Sequence, residues 1–141
     1  MSDDGSLDRF VDAQTLTYPD ALAEIRRGAK SSHWMWYVFP QFAGLGRSAT
    51  AQHFAIRSAD EARAYLDHLL LGARYVECVK AMQDLATSDP VAVFGDIDAM
   101  KLRSSLTLFE AVRPSPLLAA ALDRWFGGRR DAATLQLLDH A

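Results

Sequence analysis

The fold of this chain is decided by residues 97–112, which read IDAMKLRSSLTLFEAV. Apolar side chains recur there on more than one side of a helical wheel, namely Met100, Leu102, Leu106, Leu108, Phe109 and Val112. A helix that is apolar on several sides has to be covered by neighbouring elements. We therefore expect residues 97–112 to form the central helix of a bundle.

Helix start signals surround this segment. Oxygen-bearing side chains, in two cases followed by proline, precede apolar stretches, where they can accept hydrogen bonds from first-turn amides. Ser58 and Glu61 together have the form of a capping box. The predicted starts are Ser48, Ser58, Asp89, Asp96, Ser115 and Asp131, and the principal predicted helices cover residues 48–53, 59–68, 73–86, 97–112, 117–126 and 132–138.

Proline and glycine indicate two further boundaries. Pro19 suits the first turn of a helix, which predicts one helix from Leu7 and a second that runs to about Arg27. Gly72 predicts a break between the helices at 59–68 and 73–86. Residues 1–6 are polar and are expected to fray, leaving a single domain over residues 7–141.

Composition supports a helical fold. The 141 residues suffice for one domain with its own core. Ala and Leu supply 41 residues, whereas Val, Ile and Thr supply 16, a ratio that favours helices because β-branched side chains lose rotamer freedom there. The predicted fold is all-α: a compact single-domain bundle of about six to eight short to medium helices with an irregular segment rich in aromatic residues and glycine.

Charge and cysteine content exclude several classes of protein. The net charge is −3 and no segment is strongly basic, so we expect no binding to nucleic acid. We find no apolar run long enough to span a membrane and no basic start followed by an apolar signal segment, so we expect neither a membrane span nor secretion. A single cysteine cannot form an internal disulfide, which predicts a reducing, cytoplasmic location. Nothing in the sequence calls for a cofactor.

Aromatic residues are concentrated between positions 33 and 42, which read HWMWYVFPQF and hold five of the fourteen aromatic side chains. In an extended segment, Trp34 and Trp36 would face one way and His33, Met35 and Tyr37 the other. Trp34 and Trp36 could then form a stacking wall for a flat ligand. The alternative is that the block belongs to the hydrophobic core, where large aromatic side chains dominate burial.

Five stretches together resemble a small bacterial family of uncharacterised helical proteins, some of which are labelled calpastatin. The stretches are residues 33–41 (HWMWYVFPQ) with 44–48 (GLGRS), 9–14 (RFVDAQ), 65–68 (YLDH) with 71–74 (LGAR), 94–95 (FG), and Lys101 with 104–109 (SSLTLF). The resemblance spans about residues 9–112 and departs from the family pattern at Leu69, Ala73 and Leu106. It implies a compact all-helical domain and no assigned activity.

The loop from Gln41 to Ser48 is a candidate anion site. Gly44, Gly46, Arg47 and Ser48 precede a predicted helix, and helix N-terminal amides bind phosphates and carboxylates. The loop lacks the Lys of a P-loop and the spaced third Gly of a dinucleotide fingerprint. The alternative is that Ser48 only caps the helix and the glycines only turn the chain.

Three residues are candidates for catalysis. His33 is a possible acid, base or ligand-contacting donor, because an imidazole takes either protonation state near neutrality. Lys101 and Ser105 lie one helical turn apart and share a face, with Ser104 close to it. A Ser/Lys nucleophile would also need the lysine to lower the pKa of the serine, which the spacing does not show. The alternatives are a structural hydrogen bond for His33, and bonds to the backbone or pairing with Asp98 for the others.

The sequence therefore leaves the function unknown and favours one hypothesis. No spacing of His, Cys and carboxylates predicts a metal site. We expect a pocket for a small anionic, nucleotide-like ligand made by the aromatic block, the 41–48 loop and the Lys101/Ser105 face, with hydrolase or transferase chemistry undecided. The alternative is a non-catalytic protein-interaction module that uses an aromatic surface; a third possibility is an aromatic core with no site nearby.

Overall fold

A computed structural model describes residues 2–140, with side chains from Leu7 onward. The described residues form nine helices, six of which have seven or more residues, and no strand beyond one isolated bridge between Phe42 and Ile56. The helices are α1 (Ser2–Arg26), α2 (Met35–Val38), α3 (Ala49–His53), α4 (Ala59–Asp67), α5 (Leu69–Gln83), α6 (Pro90–Phe94), α7 (Asp96–Val112), α8 (Pro116–Phe126) and α9 (Ala132–Asp139). The predicted all-α fold is confirmed.

Helix α7 is the central element, as the apolar pattern predicts. It contacts α2, α4, α6, α8 and α9. Leu102, Leu106, Leu108 and Phe109 are fully buried because these five elements enclose the helix from several sides. The first two turns of α7 are only partly covered, so that Met100, which the pattern assigns to the apolar set, is 67% exposed.

The predicted boundary before Pro19 is wrong, because α1 continues through the proline as one helix. Phe10, Gln14, Ala21 and Ile25 are buried along it, and this continuous packing offsets the hydrogen bond that a proline nitrogen cannot donate. Met1, Ala141 and the side chains of residues 2–6 lie outside the described part of the chain. The fraying of residues 1–6 and the single domain over 7–141 stay predictions.

The break between α4 and α5 falls at His68 instead of Gly72. The His68 imidazole caps α5, since its Nδ1 accepts from the amides of Leu70 and Leu71 at 3.2 and 3.3 Å. Gly72 lies inside α5 where it touches α4: a Cβ there would stand 2.0 Å from the Leu66 carbonyl oxygen. The glycine is required for a close helix–helix approach and does not end a helix.

Five of the six predicted helix starts are confirmed. Ser48, Ser58, Asp89, Ser115 and Asp131 each accept a hydrogen bond from a backbone amide of the first turn. Asp96 differs, because it lies within the first turn of α7 and Gly95 occupies the cap position without a side-chain hydrogen bond. The left-handed φ of +86° at Gly95 favours glycine at this position, where the chain turns from α6 into α7.

Candidate ligand-binding cleft

The aromatic block is a single helical turn, so the expected strand-like alternation is wrong. The amides of Val38 and Phe39 donate to the carbonyls of Trp34 and Met35 at 3.1 and 3.0 Å. This turn lies against α1 and α7, which buries side chains that an extended chain would point outward. Trp34, Tyr37, Phe39 and Phe42 enter the core, and Trp36 alone among the five aromatic residues remains half-buried.

Trp34 is a structural residue with 1% of its surface exposed. Its indole Nε1 donates to Glu24 Oε1 at 2.9 Å, and the same carboxylate accepts from the Ser31 and Ser32 amides and the Ser32 hydroxyl. Burial raises the pKa of Glu24, but these hydrogen bonds outweigh it and lower the pKa to about 2. Trp34 therefore offers no free face for a ligand, contrary to the expectation from the sequence.

A cavity of about 610 Å³ opens beside Trp36. We call it the α2–α7 cleft, after the two helices that form most of its walls. Its volume lies within the range of roughly 300–1,000 Å³ that is usual for small-molecule sites. The lining residues are Lys30, His33, Met35, Trp36, Phe94, Gly95, Asp96, Ile97, Asp98 and Lys101.

Trp36, Lys101 and His33 form the polar and aromatic wall of the cleft. The Lys101 ammonium lies 4.7 Å from the centre of the Trp36 ring, within cation–π distance. The His33 ring lies 6.5 Å from the same tryptophan. Lys101 and His33 were both candidate site residues, and the fold brings their side chains together in one cavity.

Lys101 is only weakly tied to the protein. The nearest carboxylate oxygen, Asp98 Oδ1, is 4.0 Å away, and the ammonium donates no hydrogen bond to a described residue. Pairing with Asp98 was the structural alternative for Lys101, and it is present as this long contact. The side chain is 22% exposed, so its ammonium remains accessible from the cleft.

Lys30 was not singled out from the sequence and has a structural role. Its ammonium donates to the Ser32 carbonyl at 2.6 Å, pairs with Asp98 Oδ2 at 2.7 Å and lies 5.0 Å from the Trp34 ring. These contacts hold the segment before α2 against α7. No local sequence signal identifies Lys30, because its partner is 68 positions away in the chain.

The 41–48 loop contributes only part of its predicted residues to a cavity. Gln41 and Gly46 line a second cavity of about 370 Å³, which also borders on Lys101. Arg47 is exposed and lines neither cavity, Gly44 lies against Leu137, and Ser48 caps α3. The capping alternative thus holds for Ser48, and Arg47 does not join His33 and Lys101.

Ser105 lines neither cavity, so the structure does not bring it into the cleft with Lys101. Ser105 is fully buried and its Oγ lies 2.9 Å from the Tyr75 hydroxyl. Ser104 is the serine that lines the second cavity, where it donates to Asp131 at 3.1 Å. The choice between adjacent serines depends on the rotation of α7, which the sequence pattern did not define finely enough.

Three further findings concern features that the described residues lack: a reactive thiol, a metal site and a membrane-spanning helix. Cys78 is buried, and burial raises the pKa of its thiol to about 12, so the thiol is protonated at neutral pH. Among the described side chains, from Leu7 to His140, no group of three or more His, Cys, Asp or Glu is placed to hold a metal ion. None of the described helices is both long and apolar enough to cross a membrane.

Comparison with known proteins identifies a family of unknown function and one similar solved structure. The sequence profile of a family described as "Protein of unknown function (DUF1810)" matches residues 4–138. The crystal structure of the conserved hypothetical protein Rv1873 from Mycobacterium tuberculosis has a TM-score of 0.92 to this chain and 42% identity, covering 94% of this chain and 96% of its own. No curated protein is significantly similar in sequence.

Proposed function

The chain belongs to the DUF1810 family of proteins of unknown function, and we propose that it binds a small ligand with a flat ring and an anionic group in the α2–α7 cleft. The ring contacts Trp36, and the anion is bound by the Lys101 ammonium. His33 closes the aromatic side of the site. We propose binding without assigning a reaction, because no nucleophile–base pair is assembled among the described residues of the cleft.

The observation that carries the proposal is the pairing of Trp36 with Lys101. A half-buried indole and an ammonium 4.7 Å away stand at the wall of a cavity of suitable size. The ammonium donates to no described residue and can therefore form a new charge-assisted hydrogen bond without breaking an old one. Aromatic faces accept flat rings of many kinds, so stacking on Trp36 provides affinity with modest selectivity.

Electrostatics restrict where the anion can lie. Two lysines and two aspartates line the cleft, but Lys30 and Asp98 neutralise each other at 2.7 Å. Asp96 is exposed at the start of α7 and repels an anion, whereas Lys101 attracts it. The first turn of α7, which has no side-chain cap, borders the same cavity, and its amides add donors. We therefore place the anionic group nearer to Lys101 than to Asp96.

A three-ligand comparison tests the proposal. Adenosine has a ring without an anion, ribose 5-phosphate has an anion without an aromatic ring, and adenosine monophosphate (AMP) has both. We expect AMP to bind most tightly in titration calorimetry and to raise the melting temperature most. Equal binding of AMP and ribose 5-phosphate would show that the ring contributes nothing and would contradict the proposal.

Lys101→Gln should weaken AMP binding by about tenfold or more, as expected when a charge-assisted hydrogen bond is lost. Lys80→Gln is the matched control, because Lys80 is exposed on α5 and lies outside the cleft. Equal effects of the two substitutions would show that only the overall charge of the protein matters.

The second candidate function, a protein-interaction module, has a different observation in its favour. The aromatic block does not form the interaction surface that this hypothesis expects, since Trp36 alone of its five aromatic residues is not buried. Ile97 and Met100 on α7 are instead 70% and 67% exposed and lie one helical turn apart, so that they form an exposed apolar pair. Met100→Asp would disrupt a protein contact there and should leave AMP binding intact, because Met100 does not line the α2–α7 cleft.

The cytoplasmic location and the absence of nucleic-acid binding, both expected from the sequence, remain part of this proposal. A cytoplasmic location is supported by the single cysteine, which cannot form an internal disulfide. The net charge of −3 argues against duplex nucleic acid as the ligand. Retention of RNA on a filter at low salt would contradict this part.

A further inference from the structure

We infer that the ligand extends beyond Lys101 into the second cavity and belongs to the nucleoside diphosphates that carry a sugar. This inference rests on the proposed function, since it extends the same site. It adds a second group of contacts and a direction: ring at Trp36, phosphates at Lys101 and sugar at Gln41.

The two cavities are neighbours along one face of α7. Ile97 and Lys101 line both of them, and Ser104 follows on the same face one turn later. A ligand that lies along this face passes the Lys101 ammonium as it leaves Trp36. The shared walls therefore favour one elongated ligand over two separate small ones.

The second cavity has the chemistry of a hydroxyl-binding site. The Gln41 side chain lines it and forms no hydrogen bond with a described residue. Asp131 also lines it, and its Oδ2 accepts from the Thr134 amide and the Ser104 hydroxyl, both at 3.1 Å, and from the Thr134 hydroxyl at 2.5 Å. Its Oδ1 lies 3.6 Å from Arg103 Nη2 and accepts no hydrogen bond from a described residue, so this oxygen is the one that can accept from a ligand. A carboxamide donates and accepts and a carboxylate accepts, so together they match the hydroxyl groups of a sugar.

The backbone fixes Gln41 in this place. Its carbonyl accepts from the Ile56 amide at 2.9 Å, and the Ala43 amide donates to the Ile56 carbonyl at 2.8 Å. These two bonds form the bridge between Phe42 and Ile56 and pin the loop beside α7. A pinned backbone with an unbonded carboxamide fits a residue that is held ready for a ligand.

The order of chemical groups along α7 identifies the ligand class. An aromatic wall is followed by a cation, and the cation by an amide and a carboxylate. The matching order in a ligand is flat ring, phosphate and hydroxyl-rich group. Nucleoside diphosphate sugars have this order, whereas a nucleoside monophosphate fills only the α2–α7 cleft.

Paired ligands with and without the sugar test the inference. We expect UDP-glucose to bind about five- to tenfold more tightly than UDP, and ADP-ribose more tightly than ADP by a similar factor, as expected for one or two additional hydrogen bonds. Gln41→Ala should abolish this difference and leave UDP and ADP binding unchanged. Gln136→Ala is the matched control, because Gln136 is exposed on α9 and lines neither cavity.

The outcomes separate the two proposals. If UDP and ADP bind and the sugar adds nothing, the inference is overturned and the proposed function stands. If Gln41→Ala weakens UDP as strongly as UDP-glucose, Gln41 does not read the sugar and the inference is again overturned. Absence of binding by all four nucleotides would overturn both proposals.

Discussion

Trp34 and Trp36 stand two positions apart in one helical turn and occupy opposite environments. Trp34 is buried, with its indole N–H donating to Glu24 and an ammonium, that of Lys30, beside its ring. Trp36 is half-buried at a cavity wall, with the ammonium of Lys101 beside its ring. The same pair of residue types thus occurs twice, once inside the structure and once at its surface.

The difference lies in what else the polar groups contact. Around Trp34, Glu24 accepts four hydrogen bonds and Lys30 pairs with a carboxylate at 2.7 Å. Around Trp36, Lys101 has only a carboxylate contact at 4.0 Å. A saturated cluster stabilises the fold, because each removed group leaves a partner unpaired. An unsaturated cluster contributes less to stability and can bind something else.

The largest difference in the free energy of unfolding is expected between substitutions of the two tryptophans. Trp34→Ala should lower the free energy of unfolding by about 3–5 kcal/mol, the usual cost of a large core truncation. Trp36→Ala, the control, should cost less, about 1–2 kcal/mol, because part of the Trp36 side chain is already exposed to solvent in the folded protein. Urea denaturation measures both values. Equal losses would show that Trp36 is a core residue.

Glu24→Gln should cost about 3 kcal/mol at neutral pH, since lowering a carboxyl pKa from 4.5 to about 2 corresponds to an energy of this order. Because the pKa is lowered in the folded state, this stabilisation is complete above pH 4.5 and is lost as the pH falls toward 2. The variant should lack this part of the acid dependence. Urea titrations between pH 2 and 7 measure it, and parallel curves for both proteins would contradict the assignment.

Substitution of Lys30 should lower stability more than substitution of Lys101, just as Trp34→Ala should cost more than Trp36→Ala. Lys30→Gln should lower stability by about 1–3 kcal/mol, because it leaves Asp98 without its close partner. Lys101→Gln should cost about 0.5 kcal/mol or less, since its contact with Asp98 is long. Thermal unfolding of the two variants without ligand compares them directly. A larger loss for Lys101→Gln would reverse the roles that we assign.

The smallest expected effect is an increase in affinity for AMP when Asp96 is neutralised. Asp96→Asn removes the repelling carboxylate of the cleft and should tighten AMP binding about two- to threefold at low salt. The gain should shrink as salt is added, because exposed charges are screened. Titration calorimetry at two salt concentrations measures it. Tightening that is independent of salt would point to a conformational cause.

Local features of the sequence predicted most of the helices and their starts. Ser58, Asp89, Ser115 and Asp131 act within one turn of their own position, so their roles follow from short-range chemistry. The errors occurred where a distant contact overrides a local preference. Pro19 stays inside a helix because the residues on both sides of it pack as one face. Gly72 serves the approach of α4 rather than a turn.

The candidate site was predicted only in part, because distant contacts also decide which of its side chains face a cavity. The two neighbouring cavities are lined by five of the predicted site residues, namely His33, Trp36, Gln41, Gly46 and Lys101. Trp34 and Ser105 are instead buried. Residue type alone cannot distinguish Trp34 from Trp36 or Ser104 from Ser105. Their side chains differ only in direction, and direction depends on how α2 and α7 are rotated against the other helices.

By itself, the sequence determined an all-helical fold, its central helix and most of its caps, because these depend on apolar periodicity and on hydrogen bonds within a single turn. Only the tertiary structure decided which tryptophan is buried, which lysine is saturated and which polar side chains share a cavity. Those outcomes depend on partners far apart in the chain: Lys30 meets Asp98, and Gln41 reaches the cavity beside Lys101 and Asp131. Long-range packing sets which groups remain free to bind, and therefore where the proposed ligand-binding cleft lies.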